Sequence, residues 1–420
     1  MAKRKPKRAA RAKGPQEIPE APAHSGAHPP KTLKSEYPRV RFPRLALPLP
    51  GAEPQGLEPA GTAPAPRGPG KITVLVYNRN GADKLWNFLF SLKAQTRPPD
   101  EILVVDNKSG DASVSFMRTN HPDVRILELQ ESFARAQALN LGFLSAGGDQ
   151  VVWVDSSLAL PPEWLKRLGE AFETRSPEAG AVVSPVHGKA GWEGVEVRNI
   201  LGRVLGREGP VPGGELFLPA LGAVMLDRRL FPEGPFESQS PTGDDPFALG
   251  WSLQALGRKV FWAFEAKVLR PGDPPPAPGT FRLDLAAERG RWAAFYTFAE
   301  GRTLAKLFPL FLADALVRPF SRWFRPEGSF WGSALGNLTG LWLWGSCRAA
   351  RKAAALRRRS PDSAGTRLLS GRLALGQGLT ASLVNAFAAA YLAAVGLPTR
   401  EQPRLGKDRV GPLEPPGRVG

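Results

Sequence analysis

Residues 72–77, Ile-Thr-Val-Leu-Val-Tyr, form an almost unbroken apolar and β-branched run, the pattern of a strand covered on both faces. The period then changes: Leu85, Phe88, Leu89 and Leu92 fall on one face of a helix predicted over 82–96. A second buried strand reads at 101–105, a third at 125–129, a helix at 134–145 and a further strand at 150–154. This alternation predicts an α/β fold, a mostly parallel sheet sandwiched by helices. Residues 221–226 and 259–263 read as two more strands, separated by an amphipathic helix over 246–256 that Gly257 terminates. The proline-rich run at 271–279 suits neither a helix nor a central strand and marks a boundary. Beyond it, 281–324 reads as amphipathic helices, with Leu304, Leu307, Phe308, Leu310, Phe311 and Leu312 set against Lys306, Asp314 and Arg318.

Two later stretches carry no charge. Residues 328–347 hold Trp331, Trp342 and Trp344 and place glycine at 328, 332, 336 and 340, one helical stripe that permits close helix approach. Residues 373–399 are long enough, if helical, to cross an apolar layer of roughly 30 Å. Asn337 and Thr339 dilute the first stretch, and Gln377 and Asn385 the second. Spanning a membrane, lying in its interface and packing into a protein core therefore all stay open.

Composition divides the chain into three parts: a basic Pro/Ala/Gly-rich tail over 1–70 that is expected to be disordered, an α/β domain over 71–275, and a helical C-terminal region over 276–420. The formal charge of +17 is unevenly placed, with one acid-free basic block between Lys3 and Lys13 and another from Arg348 to Arg359. The second block directly follows the tryptophan-rich stretch, the arrangement of a juxtamembrane segment facing an anionic membrane surface. Nucleic acid is the poorer partner, because no basic surface interleaved with aromatics occurs in the folded part. The single cysteine, Cys347, excludes an intrachain disulfide and a cysteine-rich metal site, and no apolar signal core follows the N-terminal charges. A cytoplasmic location, peripheral at the inner face of the cell membrane, is the expectation.

Sheets of this class bind ligands beyond the carboxyl ends of their strands. Tyr77-Asn78-Arg79-Asn80 follows the first strand, Asp106-Asn107-Lys108-Ser109-Gly110-Asp111 the second, and Asp155-Ser156-Ser157 the strand at 150–154. Each is ordinary turn chemistry taken singly; together, at one end of the sheet, they mark a site.

In order and spacing these pieces resemble the inverting glycosyltransferases of the GT-A fold, especially their rhamnosyltransferase-like bacterial members. The resemblance runs from Ile72 to Arg270 and includes the 134–142 segment with Asn140, Gly222-Ala-Val-Met-Leu-Asp-Arg-Arg229, Gly234-Pro-Phe-Glu237 and Asp244-Asp245. It implies a nucleotide sugar as donor, a glycan or lipid-linked acceptor, and a place in cell-surface polysaccharide synthesis. It also implies that Tyr77 and Asn78 sit beside the base, that Asp106 accepts a hydrogen bond from base or ribose, and that Arg135 lies near the donor. Asp244-Asp245 occupies the place of the catalytic base, with Asp245 favoured and Asp244 second; helix capping is the plain reading of either.

The family's metal motif is two acids separated by one residue, which hold Mg2+ or Mn2+ through hard oxygen ligands. Here Asp155 is followed by Ser156 and Ser157, so Asp155 is the only carboxylate in the motif, and Arg270 stands where the family often has a histidine. Three outcomes are open: metal use through Asp155, a metal-independent enzyme in which Arg270, Arg79 or Arg135 meets the diphosphate, or a noncatalytic glycosyltransferase-like protein that binds nucleotide sugar, glycan or a partner enzyme.

Overall fold

The computed structural model describes residues 70–189, 191–192, 195–208, 214–217, 222–236, 246–272, 281–323, 328–374 and 378–400. The expected disordered tail, Asp244, Asp245, Glu237 and most of the proline-rich boundary lie outside the described residues. From the start of the α/β part, β1 (Ile72–Asn78), α1 (Ala82–Lys93), β2 (Glu101–Asp106), α2 (Ser113–Asn120), β3 (Arg125–Glu128), α3 (Arg135–Ser145) and β4 (Gln150–Val154) follow in the expected order, with α2 an addition. Next come α4 (Trp164–Arg175), β5 (Ala179–Val183), β6 (Val186–Gly188), β7 (Gly191–Trp192), β8 (Val195–Arg198), β9 (Val204–Glu208) and β10 (Glu215–Leu216). The α/β part closes with β11 (Ala223–Asp227), α5 (Pro246–Ala255), β12 (Lys259–Trp262) and β13 (Val268–Leu269).

An eight-stranded sheet runs in the order β10-β12-β5-β11-β4-β1-β2-β3. Strands β1 to β4 are mutually parallel, while β11 enters antiparallel between β4 and β5. The register sets Asn78 beside Asp106 and Val76 beside Val154, so the three polar loops leave from one edge of the sheet.

Both faces of the sheet are covered, which explains the uninterrupted apolar run of β1. On one face Ile72, Val74 and Val76 meet Leu85, Phe88 and Leu89 of α1 and Trp164, Leu165 and Leu168 of α4. On the other face Leu75 packs with Leu139 and Phe143 of α3 and with Leu249 and Leu253 of α5. Helix α3 approaches closely because residue 142 is glycine: a Cβ there would lie 2.4 Å from Val105 Cγ2 and 2.6 Å from Leu75 Cδ1. The expected amphipathic helix at 246–256 is α5, but it is buried all round, Ser252 being its one partly exposed residue. The reason is that the sheet covers one side and a third core, containing Phe217, Trp292, Phe295 and Phe311, covers the other. Gly257 ends it in the left-handed conformation, at φ +69°, as predicted.

The C-terminal helices are α6 (Phe281–Phe298), α7 (Gly301–Trp323), α8 (Phe330–Leu341), α9 (Arg348–Arg357), α10 (Ser363–Thr366) and α11 (Leu379–Ala394). The glycine stripe of α8 faces α6, where a Cβ on Gly340 would come within 2.3 Å of Trp292 Cδ1 and one on Gly336 within 2.9 Å of Leu285 O. Close packing is thus what the glycines serve. Among the described residues no helix is long and apolar enough to cross a membrane; α8 has 12 residues and α11 has 16, shorter than the uncharged stretches that contain them.

The polarity of α7 departs from expectation. Asp314 and Arg318 turn inward, while Phe308 and Leu312, expected in the core, are exposed. Buried ions hold α6, α7 and the β8–β9 hairpin together: Arg203 reaches Glu288 at 2.5 Å and Asp314 at 2.6 Å, and Arg291 reaches Glu288 at 3.0 Å and Asp314 at 3.1 Å. Asn337 of α8 joins them by accepting from Arg291 Nη2 at 3.2 Å and Trp292 Nε1 at 3.1 Å. Burial alone would raise the Glu288 carboxyl, but the Arg203 and Arg291 guanidinium groups outweigh it and hold it at about 2.

Candidate functional site

At the ends of β1 and β2, Asn78 and Asp106 form a buried pair, with Asn78 Nδ2 donating to Asp106 Oδ1 at 2.8 Å. The Asp106 carboxylate also receives the Ser109 backbone N–H at 2.9 Å on Oδ2 and the Ser109 hydroxyl at 2.6 Å on Oδ1. Ser109 in turn accepts from Asn78 Nδ2 at 3.2 Å and from the Asn80 backbone N–H at 2.9 Å. The two loops therefore brace each other across the strand ends, and Asn80 and Lys108 take positive φ, 54° and 56°, to turn there. Asp111 ties the next layer by accepting from the Ala82 N–H at 3.2 Å and from the Ser113 hydroxyl. Partial burial opposes ionisation of Asp111, but the Ser113 hydroxyl and amide and the Ala82 amide outweigh it and hold the carboxyl below its ordinary value.

A second set of contacts places Tyr77 and Arg135. Asn107, fully buried, donates to Tyr77 OH at 3.0 Å and to Phe133 O at 2.8 Å, and accepts from Phe133 N at 2.9 Å. This clamp fixes the chain leading into α3. Arg135, the first residue of that helix, lies over the Tyr77 ring at 5.3 Å and the Trp153 ring at 5.6 Å, within cation–π range of both. Arg79 is exposed beyond β1. The sequence reading did not single out Asn107 or Ser109; their signal was their place in the Asp-Asn-Lys-Ser-Gly-Asp turn directly after a buried strand.

After β4 the chain turns through Asp155, whose Oδ1 accepts the Ser157 backbone N–H at 2.9 Å. The Ser157 hydroxyl accepts a hydrogen bond from Arg270 Nη1 at 2.6 Å. The Arg270 backbone is itself anchored: its N–H donates to His187 O at 2.9 Å, and neighbouring Leu269 exchanges two hydrogen bonds with Ala159. A guanidinium is thus delivered to the position where the expected motif would carry its second acid.

This donor set does not suit a divalent ion. Mg2+ and Mn2+ take several hard oxygen ligands, and the motif offers one carboxylate beside a hydroxyl already bonded to a cation. Among the described residues, no group of three or more His, Cys, Asp or Glu side chains is arranged to hold a metal. Asp245 and Asp244 belong to the segment outside the described residues. The structure does bring together two other pieces of the ordered series: Asn140 Nδ2 donates to Phe236 O at 2.7 Å and its Oδ1 accepts from Phe236 N at 3.0 Å. The chain that leads toward Asp244 is thereby pinned to α3.

Parts of the chain are similar to known proteins. An uncharacterized glycosyltransferase from Nostoc sp. strain PCC 7120 is 33% identical over 107 residues, which cover 25% of this chain and 33% of the relative. The aligned part thus spans about a third of the length of that curated relative. Among solved structures, the mannosyltransferase PcManGT of Pyrobaculum calidifontis, in complex with GDP-Man and Mn2+, is similar with a TM-score of 0.40 at 20% identity, over 81% of this chain and 87% of that one. S. aureus TarS 1–349 in complex with UDP has a TM-score of 0.44 at 14% identity, over 77% and 88% of the two chains. GalNAc-T7 with UDP, GalNAc and Mn2+ has a TM-score of 0.47 at 12% identity, over 68% and 57%. Residues 72–239 match the sequence model of Glycosyl transferase family 2.

Proposed function

We propose that this chain transfers a glycosyl group from a nucleoside-diphosphate sugar to a hydroxyl of a glycan or lipid-linked acceptor, with inversion at the anomeric carbon. The observation that carries the reading is the convergence of the β1, β2 and β4 loops at one sheet edge, inside the segment matched to the family. In this reading the base rests beside Tyr77 and Asn78, Asp106 meets base or ribose, and Arg135 lies near the donor. The acceptor oxygen attacks the anomeric carbon as the bond from that carbon to the diphosphate breaks. The hydroxyl proton passes to the Asp245 carboxylate, with Asp244 as the alternative, and the nucleoside diphosphate leaves with the bonding pair.

Charge gathers on that leaving group, and Arg270 is the group we assign to it. A guanidinium matches phosphate oxygens in bidentate fashion, and its bond to Ser157 holds it at the end of β4. The reading therefore needs no metal ligand beyond what the substrate brings. The test is a screen of the full chain against UDP-, GDP- and dTDP-sugars, with binding and nucleotide release measured with chelator and with added Mn2+. Release that persists in chelator supports the assignment. Release that requires Mn2+ would return the role to a metal at Asp155, and binding without turnover on any acceptor would make the protein a noncatalytic nucleotide-sugar binder.

A further inference from the structure

The outer surface of the C-terminal helices is apolar where an ordinary soluble helix pair would be charged. Along α7 the exposed positions recur every turn at Phe308, Leu312, Leu316 and Phe320, with Leu316 and Val317 each 66% exposed, while Asp314 and Arg318 face the buried ion network. Helix α8 repeats the inversion: Ser333, Asn337 and its glycines face α6, while Trp331 is 70% exposed and Trp342, directly after the helix, 81%, with Leu335 and Leu338 between them. The two faces are continuous, because the Phe320 ring lies 5.4 Å from Phe330, whose ring lies 5.2 Å from Trp331. Helix α11, joined to α7 where Tyr391 OH donates to Lys306 O at 2.8 Å, has no charged residue and exposes Leu379, Leu383 and Phe387. A continuous apolar surface of this kind marks an interaction site rather than ordinary solvent-facing structure.

Charge at the rim selects the partner. The chain from 328 to 361 contains no acid, and exposed Arg348 and Lys352 follow directly on Trp342 and Trp344; exposed Arg302 begins α7. Tryptophan next to Lys and Arg is the composition of a bilayer interface with anionic headgroups. Spanning is not the mode, since no described helix is long and apolar enough to cross.

We propose that the α7–α8 face docks in the plane of an anionic phospholipid surface, with Phe320, Leu316, Trp331 and Trp342 entering the headgroup and acyl boundary and Arg348 and Lys352 meeting lipid phosphates. The proposal stands apart from the transfer reaction, because it uses no residue of the candidate site. The test is co-sedimentation of the full chain with vesicles of phosphatidylcholine mixed with phosphatidylglycerol, against vesicles of phosphatidylcholine alone. The native chain should bind the mixed vesicles more tightly, and a Leu316→Ser, Trp342→Ser double variant should lose about tenfold or more in affinity with an unchanged thermal melt. Binding by the double variant equal to that of the native chain would overturn the proposal and assign membrane affinity to the basic N-terminal block. Concentration-dependent dimerisation abolished by the same substitutions would overturn it in favour of a second copy. A milder pair, Trp331→Phe and Trp342→Phe, should keep binding but reduce the quenching of tryptophan emission by brominated acyl chains; undiminished quenching would count against insertion of these residues.

Discussion

The sheet region and the C-terminal helices both bury an apolar core but place their charged groups differently. Around the sheet, apolar side chains fill both faces and polar groups collect in loops at the strand ends, where Asn78, Asp106 and Ser109 satisfy one another. In α6, α7 and α8 a network of ions is buried beside an aromatic core of Trp292, Phe295 and Phe311, and the outer face of α7 and α8 is apolar as well. The difference teaches that an amphipathic period reports two unlike faces but not which of them is buried. A hydrophobic outer face is tolerable in water only if something covers it, whereas buried ions are tolerable only if each is paired and hydrogen-bonded. Both conditions bear on the helices, and neither bears on the sheet.

The largest expected effect concerns the proposed transfer reaction. Under the proposed role of Asp245 as proton acceptor, Asp245→Asn should lower turnover by about 10²–10⁴-fold and leave nucleotide affinity unchanged in a calorimetric titration. The same loss from Asp244→Asn alone would exchange the two roles. In the helical region, Glu288→Ala leaves buried Arg203 and Arg291 with Asp314 as their one shared carboxylate and should cost about 3–5 kcal/mol in denaturant unfolding. An effect under about 1 kcal/mol would show that the network is incidental.

Acid tests the same group with a defined sign. The folded-state carboxyl of Glu288 lies at about 2 against an ordinary 4.5, so its contribution is complete above 4.5 and is lost as pH falls toward 2. The native chain should therefore lose stability over that window more steeply than Glu288→Gln, as followed by thermal melts in a pH series. On the sheet side, Gly142→Val drives a side chain into Val105 and Leu75 and should cost about 1–3 kcal/mol. The smallest effect belongs to the outer face: Trp342→Ser should change stability by no more than about 0.5 kcal/mol. A large loss there would mean that the tryptophan is part of the fold's packing and that the inversion is less complete than its exposure indicates.

Much of the sheet was legible because strands covered on both faces write themselves as continuous apolar runs, as at β1, β2 and β4. Helix α4 and strand β5 are elements beyond those expected, although Trp164, Leu165, Leu168 and Phe172 stand at helical spacing and Ala179-Gly-Ala-Val-Val183 is a short apolar run. The candidate site was legible as three loops. Asp155 and Arg270 were read as separate oddities of a motif, and the bond that relates them runs between residues 113 positions apart.

By itself the sequence determined the α/β alternation, the ends of the strands at which polar residues gather, the helix stop at Gly257 and the glycine stripe that brings α8 close to α6. These are local properties, set by period, backbone freedom and side-chain size. Only the tertiary structure decided that β11 runs antiparallel, that α5 is enclosed on every side, that Arg270 reaches Ser157, and that α7 turns Asp314 and Arg318 in and Leu316 and Phe320 out. Each depends on which distant surface meets a given face, and a one-dimensional pattern records the face without its partner.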